Sequence, residues 1–275
     1  MSTGFKKAVA FVLTVVALPL TVPSMVDAMA YSDEALTASA PKYVALVRIG
    51  KFGSCSGSLI APEWVLTAGH CASGLPPETL SVEFQRRKRV RFQVAEVIAH
   101  DTFFRMSEDA AWMGGYDIAL LRLDRPVTGI EPAHLPTKND MLFRLDPRAF
   151  GYGLDENDDF HNRLGARRMV IEDGAWAKDL FGDDFRRRRQ ISAYGVRSWQ
   201  EVTYPRNEIV ERSAVDSAVC FGDSGGPLVA SNGIRDAIVG IVSYGPHCST
   251  PYPSVYTRIS WFGDWIRAAM RTHQS

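Results

Sequence analysis

Beyond its first thirty residues the sequence has no apolar run approaching the ~18 residues of a spanning helix, so no later segment offers a helical membrane anchor. An excess charge of one sign is also missing. Lys plus Arg and Asp plus Glu each number 31, which gives no ground for nucleic acid or an acidic membrane as partner. Cysteine is scarce, four in 275 residues, and no Cys-x-x-Cys pair occurs. Cys71 and Cys248 each have a neighbouring His, but adjacent residues rarely reach one metal together, so a zinc site is not indicated. Internal repeats and strongly low-complexity segments are absent, which argues against repeat arrays and disordered tracts.

What remains is ordinary globular composition, 46% apolar and 23% charged, in a length suited to one or two domains. The N-terminus has the layout of a secretory signal. Lys6 and Lys7 precede an apolar stretch, Ala8 to Leu20, interrupted only by Thr14 and Pro19. Val26-Asp27-Ala28 and Ala28-Met29-Ala30 both fit a signal-peptidase site, so residues 1–28 are expected to be removed and the mature chain to begin at Met29 or Tyr31. A membrane anchor is the rival reading, and the stretch is too short for it. Export, to the exterior or a periplasm, makes disulfides feasible, and four cysteines allow three connectivities.

Past this segment the chain breaks into short β-rich runs: Tyr43–Ile49, Ser58–Leu66, Leu80–Phe84, Val90–Ala99, Ile118–Leu123, Arg167–Ile171, Pro227–Ala230, Ile238–Ser243 and Ser254–Arg258. Gly, Pro, Asn and Asp punctuate the gaps, a pattern that predicts an all-β barrel or sandwich. Trp261, Phe262, Trp265, Ile266 and Ala269 fall at helical spacing and predict a short C-terminal helix. Arg125–Pro147, with four prolines and little strand pattern, reads as the linker between two domains. The charge runs Arg86–Arg91, Arg186–Arg189 and Asp155–Asp159 are ordinarily solvated loops or exposed strand faces. Their sharper reading is binding or self-processing at the exposed basic loops.

Three segments carry chemistry: Leu66-Thr67-Ala68-Gly69-His70-Cys71, Asp117 to Leu123, and Gly222-Asp223-Ser224-Gly225-Gly226-Pro227-Leu228. A serine hydroxyl is a poor nucleophile until a nearby base takes its proton. Histidine has the pKa for that task near neutrality. A carboxylate on the far ring nitrogen fixes the tautomer and stabilises the imidazolium. Glycines around Ser224 permit a tight turn whose N–H groups converge on a developing oxyanion. Each piece alone has a plain reading as core histidine, strand cap or turn.

Together, in this order, the three segments resemble the trypsin–chymotrypsin family of serine proteases, from about Met29 to the C-terminus. The resemblance implies an all-β fold of two antiparallel six-stranded β-barrels with a short C-terminal α-helix. The first barrel would span 29–135 and carry His70 and Asp117; the second would span 136–258 and carry Ser224, followed by the helix at 259–275. It implies His70 as general base, Asp117 as its orienting carboxylate and Ser224 as nucleophile. The backbone N–H groups of Gly222 and Ser224 would form the oxyanion hole. Ser243 lies in the segment that pairs with substrate backbone. Cys55 would pair with Cys71, closing a loop worth ~3 kcal/mol in the chain-entropy model, and Cys220 with Cys248. Gly151-Tyr152-Gly153 resembles the turn opening the second barrel. His100 is expected to be structural, while His134, His161, His247 and His273 have no assigned chemistry.

The resemblance also places Ala218 at the base of the primary specificity pocket, Val219 beside it, and Gly245 and Ser254 on its walls. Without an acid at the base, such a pocket cannot offset the desolvation of Lys or Arg, so cleavage after uncharged apolar residues is expected, although Asp216 lies close in sequence. Asp223 matches the residue that pairs with a new N-terminus on activation, but the usual Ile-Val-Gly-Gly start is missing. Alignment puts Met29 at that point, so signal removal itself would create the activating amine. The loop that holds calcium in some relatives is short here, and no metal or cofactor is expected. Expected partners are a protein or peptide substrate and a protein inhibitor of a monomeric enzyme; no nucleic acid and, after signal removal, no membrane. The rivals are a protease-like binding protein that does not cut, and an esterase of another fold. Pro227 and a strand-like run after Gly222–Gly226 disfavour the esterase, which needs a helix there.

Overall fold

The computed structural model describes Met29 and residues 32–51, 53–85, 88–105, 114–136, 145–155, 157–160, 162–196, 215–216, 218–246, 248 and 250–273. The expected signal peptide, Tyr31, His161 and His247 lie outside the described residues.

Six strands, β1 (Val44–Ile49), β2 (Gly53–Ala61), β3 (Trp64–Thr67), β4 (Leu80–Phe84), β5 (Val90–Ala99) and β6 (Ala119–Leu123), close an antiparallel barrel in the order β1-β2-β3-β6-β5-β4. A second set comprises β7 (Leu145–Gly151), β8 (Gly165–Glu172), β9 (Gln190–Val196), β10 (Val215–Asp216), β11 (Pro227–Ser231), β12 (Asp236–Tyr244) and β13 (Ser254–Arg258). These pair in the order β10-β9-β13-β12-β11-β7-β8, and the β8–β9 pairing closes six of them into a second barrel. The short β10 continues the β13 edge of β9. Closure removes the unpaired edges that so many short strands would otherwise present. The chain therefore has the two-barrel, all-β fold expected.

Alternation drives the barrels. Along β5, Phe92 and Val94 are buried while Arg91 and Gln93 face solvent. Glu83 on β4 is buried too, and Arg91, Arg48 and Arg89 reach its carboxylate at 2.6, 3.3 and 3.4 Å. Burial would raise its carboxyl, but the hydrogen bonds from Arg91 and Arg48 hold it below the usual range. Part of the basic run 86–91 is thus absorbed by one buried acid.

Two readings change. Ser58–Leu66 is not one strand: β2 runs to Ala61, turns at Pro62-Glu63, and returns as β3 with Trp64 opposite Ala61. The apolar run hid a tight turn started by a proline. Leu145–Pro147 belongs to β7 and not to the linker, whose residues 137–144 lie outside the described ones. Pro147 is tolerated in an interior strand because the β7–β11 register shifts between Val229 and Ser231, so the ladder is already interrupted there.

Among the described residues, four α-helices complete the fold: α1 (Glu34–Ala38), α2 (Asp101–Arg105), α3 (Ala175–Phe181) and α4 (Ile259–Thr272). The last starts two residues ahead of Trp261, the first of the helically spaced apolar residues. It buries Phe262, Ile266 and Ala269 in a core shared with Leu46, Leu66 and Leu120 of the first barrel and Phe150, Val229 and Ile241 of the second. That core lies between the barrels and fixes how their loops meet. His100 packs against Tyr116, Phe262 and Trp265, with ring centroids 5.0 to 5.5 Å apart, which suits the structural role expected of it.

Candidate active site

His70 sits in a single 3-10 turn, Gly69–Cys71, directly after β3, and Asp117 lies two residues before β6. Strands β3 and β6 are paired neighbours, so the two residues emerge together from one end of the first barrel. Asp117 is fully buried and its two oxygens take three bonds. Oδ1 accepts the His70 backbone N–H at 2.9 Å, and Oδ2 accepts from His70 Nδ1 at 2.8 Å and from the Ser243 hydroxyl at 2.6 Å. Burial would lift the Asp117 carboxyl, yet the His70 charge, with hydrogen bonds from His70 and Ser243, keeps it below the usual range. For His70, burial opposes the imidazolium, but the Asp117 charge and hydrogen bond outweigh it and raise the ring above its ordinary 6.5. An ionised carboxylate thus holds Nδ1 protonated, leaving Nε2 as the basic nitrogen.

Ser224 lies on the second barrel, in the loop before β11, and lines one cleft of about 390 Å³ with His70, Val219, Phe221, Gly222, Ser243, Tyr244 and Gly245. The backbone turns left-handed at Gly222, with φ of 96°. The N–H groups of Gly222 and Ser224 donate no backbone hydrogen bond among the described residues, so both remain available to a bound oxygen. Cys55 is bonded to Cys71 beside His70, and Cys220 to Cys248 beside Ser224.

Ser56, on β2, went unnoticed in the sequence. It is fully buried, its N–H donates to the Ser224 carbonyl at 2.7 Å, and its hydroxyl donates to the Gly222 carbonyl at 2.9 Å. The same hydroxyl oxygen accepts the Tyr152 N–H at 2.9 Å. One residue of the first barrel therefore holds the carbonyls on either side of Asp223, that of Gly222 by its hydroxyl and that of Ser224 by its backbone N–H. Ser56→Ala leaves a buried carbonyl and a buried N–H without this partner and lets the Gly222 turn relax. The expected result is a fall in kcat of about tenfold with KM little changed. Steady-state kinetics on a peptide substrate check this, and an effect confined to KM would refute it.

Asp223 is fully buried, its carboxylate accepting the N–H groups of Gly153 and Cys220 at 2.8 Å each. A Cβ added at Gly151 or Gly153 would stand 2.1 or 2.5 Å from it, so the Gly-Tyr-Gly turn is what admits this carboxylate. No cation faces it among the described residues. Burial outweighs the two N–H bonds and pushes its pKa up to about 7.

The Trypsin family model matches residues 32–266, most of the chain. The chain belongs to the trypsin family. It is a serine protease of that fold, and proteins or peptides are its substrate class. Among curated proteins, Lectizyme of Glossina austeni is 29% identical over 252 residues, 87% of this chain and 85% of that protein. Two solved structures share the trypsin-family fold at 24% identity, each covering 84% of this chain and 95% of its own. They are "Structure of GrC", with a TM-score of 0.65, and neuropsin, a serine protease expressed in the limbic system of mouse brain, with a TM-score of 0.63.

Of the pocket residues taken from the resemblance, Val219, Ser243 and Gly245 line the cleft, whereas Ala218 and Ser254 are fully buried and do not. The Ser254 hydroxyl sits 2.9 Å from where a Gly245 Cβ would be, so it fills space beside the open wall. Phe221, 68% exposed on the rim, was not singled out because an aromatic beside a cysteine carries no signal by itself. The contact of Ser243 with Asp117 was equally hidden, since 126 residues separate them. The described residues include two groups with metal-ligand spacing, but the thiols of both are held in the disulfides.

Proposed function

We propose that this trypsin-family chain is an exported endopeptidase that cleaves after uncharged apolar residues through an acyl-enzyme. The observation that carries the reading is the bonded set His70–Asp117–Ser243, of which His70 and Ser243 line one cleft with Ser224 and Gly222. Ser224 Oγ attacks the scissile carbonyl carbon while His70 Nε2 takes its proton. The carbonyl oxygen gains the negative charge and accepts from the N–H groups of Gly222 and Ser224. As the C–N bond breaks, His70 returns the proton to the leaving amine. Water, activated by the same nitrogen, then hydrolyses the ester and restores Ser224.

Supporting the cleavage preference, Val219, Cys220 and Cys248 line the cleft, and no carboxylate does so among the described residues. A profiled peptide library is expected to show cleavage after small or medium apolar residues; dominant cleavage after Arg or Lys would overturn this. A serine-directed phosphonate is expected to label the processed protein and not its Ser224→Ala variant, and absent labelling would favour a non-cutting binding protein.

The activating amine is assigned here to Met29, freed by signal removal. Met29 is fully buried and packs in one cluster with Ala218 and Val219, next in sequence to Cys220, whose N–H holds Asp223. A cation delivered there would meet the one buried carboxylate at the site that faces no positive charge among the described residues.

A further inference from the structure

The proposed peptide cleavage makes no use of the second basic run. Arg186–Arg189 follow α3 and, with Lys178 and Asp179, line a groove of about 580 Å³. Lys178 pairs with Asp183, and Arg187 stands 3.6 Å from Asp173. Arg189 is turned inward, its Nε donating to the Gly114 carbonyl at 2.7 Å and its guanidinium lying 4.6 Å from the Tyr116 ring. Arg186 and Arg188 differ. Both are exposed and neither has an acid within 4.0 Å among the described residues, although the Arg186 charge acts on Asp183. Arg188 lies over the exposed Trp261 ring at 5.5 Å, which holds its guanidinium at the surface without neutralising it.

Side-chain contacts link this groove to the catalytic cleft. Tyr244 lines the cleft and lies next to Ser243. Its ring packs edge-on against Phe181, the last residue of α3, with centroids 5.2 Å apart. Its hydroxyl accepts from Gln190 Nε2 at 3.3 Å, and Gln190 Oε1 accepts the Arg186 N–H at 2.6 Å. Only one side-chain amide therefore separates Arg186 from the wall of the cleft. Burial raises the Tyr244 phenol, the Gln190 hydrogen bond opposes it, and the charges of Asp184 and Asp117 raise it further while that of Arg186 lowers it, so Asp184 and Arg186 both act on this wall of the cleft.

We infer that Arg186 and Arg188 bind acidic side chains of the substrate on the N-terminal side of the cleaved bond. The direction follows from the site. The residue before that bond enters the pocket walled by Gly245, so the preceding residues run along Ser243–Gly245 as an added strand. At ~3.3 Å per residue, a chain leaving Tyr244 comes within side-chain reach of Arg186 at about the fourth residue before the bond. Arginine there offers bidentate hydrogen bonds to carboxylates. Such exposed contacts act chiefly on encounter and affinity and weaken with salt.

The inference rests on the endopeptidase reading, and its test separates the two. Fluorogenic peptides that share the residues next to the cleaved bond would carry Asp-Glu, Ser-Gly or Lys-Arg at the fourth and fifth places before it. The processed protein is expected to cut the acidic peptide about tenfold more efficiently than the neutral one through KM, with the advantage shrinking at high salt. Arg186→Ala/Arg188→Ala is expected to lose that advantage, and Arg186→Lys/Arg188→Lys to keep most of it. Cutting of the neutral peptide by each variant reports the intact fold. Equal rates on the acidic and neutral peptides, or an acidic advantage that survives in the double alanine variant, would overturn the inference. Binding of a labelled acidic peptide is measured alongside by fluorescence anisotropy. Arginine-dependent binding with no cutting would uphold the groove and sink the endopeptidase reading; neither binding nor acidic preference sinks the groove.

Discussion

Asp117→Asn is expected to lower kcat by about 10⁴-fold while the protein stays folded. The buried carboxylate accepts from the His70 N–H, His70 Nδ1 and the Ser243 hydroxyl. An amide of the same shape can keep some of these bonds, but its NH₂ cannot accept from Nδ1–H. The ring then adopts the other tautomer, and Nε2 carries the proton it should be ready to take. A second readout separates this from general damage. Burial acts against the His70 imidazolium, and the Asp117 charge and hydrogen bond outweigh it to hold the ring above 6.5. In the native enzyme, activity should therefore fall as pH drops through a value above 6.5. In the variant the raising influence is gone, so the acid limb should move to lower pH. A kcat loss below about tenfold, or an unmoved limb, would remove Asp117 from the assigned role.

The second large effect concerns Asp223. In a chain that keeps the residues before Met29, its folded pKa of about 7 stands well above the ordinary 3.8. A raised carboxylate pKa means that the folded state holds a proton the unfolded state has released. Stability should then fall as pH rises from about 4 to about 7, by an amount on the order of a few kcal/mol. Below that window both states are protonated and the difference disappears. On the proposal that Met29 supplies the activating amine, a chain beginning at Met29 should bring an ammonium to the carboxylate, lower its pKa and lose this slope. Asp223→Asn should flatten the profile of the unprocessed chain and cost the processed one at least about 100-fold in kcat/KM, because the same carboxylate holds the N–H groups of Cys220 and Gly153 beside the Gly222 turn. Thermal melts across pH, with N-terminal sequencing of the active secreted protein, check both. An active enzyme starting at Tyr31 or later would refute the assignment of Met29.

Strand positions were legible where alternation or turn residues were strong, as in Leu80–Phe84, Val90–Ala99 and Ser254–Arg258, which the structure reproduces residue for residue. Strand β9 was not, because Gln190–Val196 is buried along its whole length and shows no two-residue alternation between β8 and β13. Strand β2 began five residues earlier than its pattern, since Gly53–Gly57 carries only small side chains. Small residues leave little periodic signal.

The sequence by itself determined the family and supplied the proposal for the residues that bear the chemistry, because a serine, a histidine and an aspartate occur in motifs too specific to arise singly. It determined the β-rich class for the same local reason, since a two-residue period needs no distant partner. Only the tertiary structure decided what long-range contact makes. Ser243 reaches Asp117 across 126 residues, Ser56 reaches Gly222 across 166, and Phe181 with Gln190 brings Arg186 beside the cleft through Tyr244. Each of these joins the loops of two barrels, or a loop to a strand distant in sequence, and closing the barrels on one shared core is what brings them together.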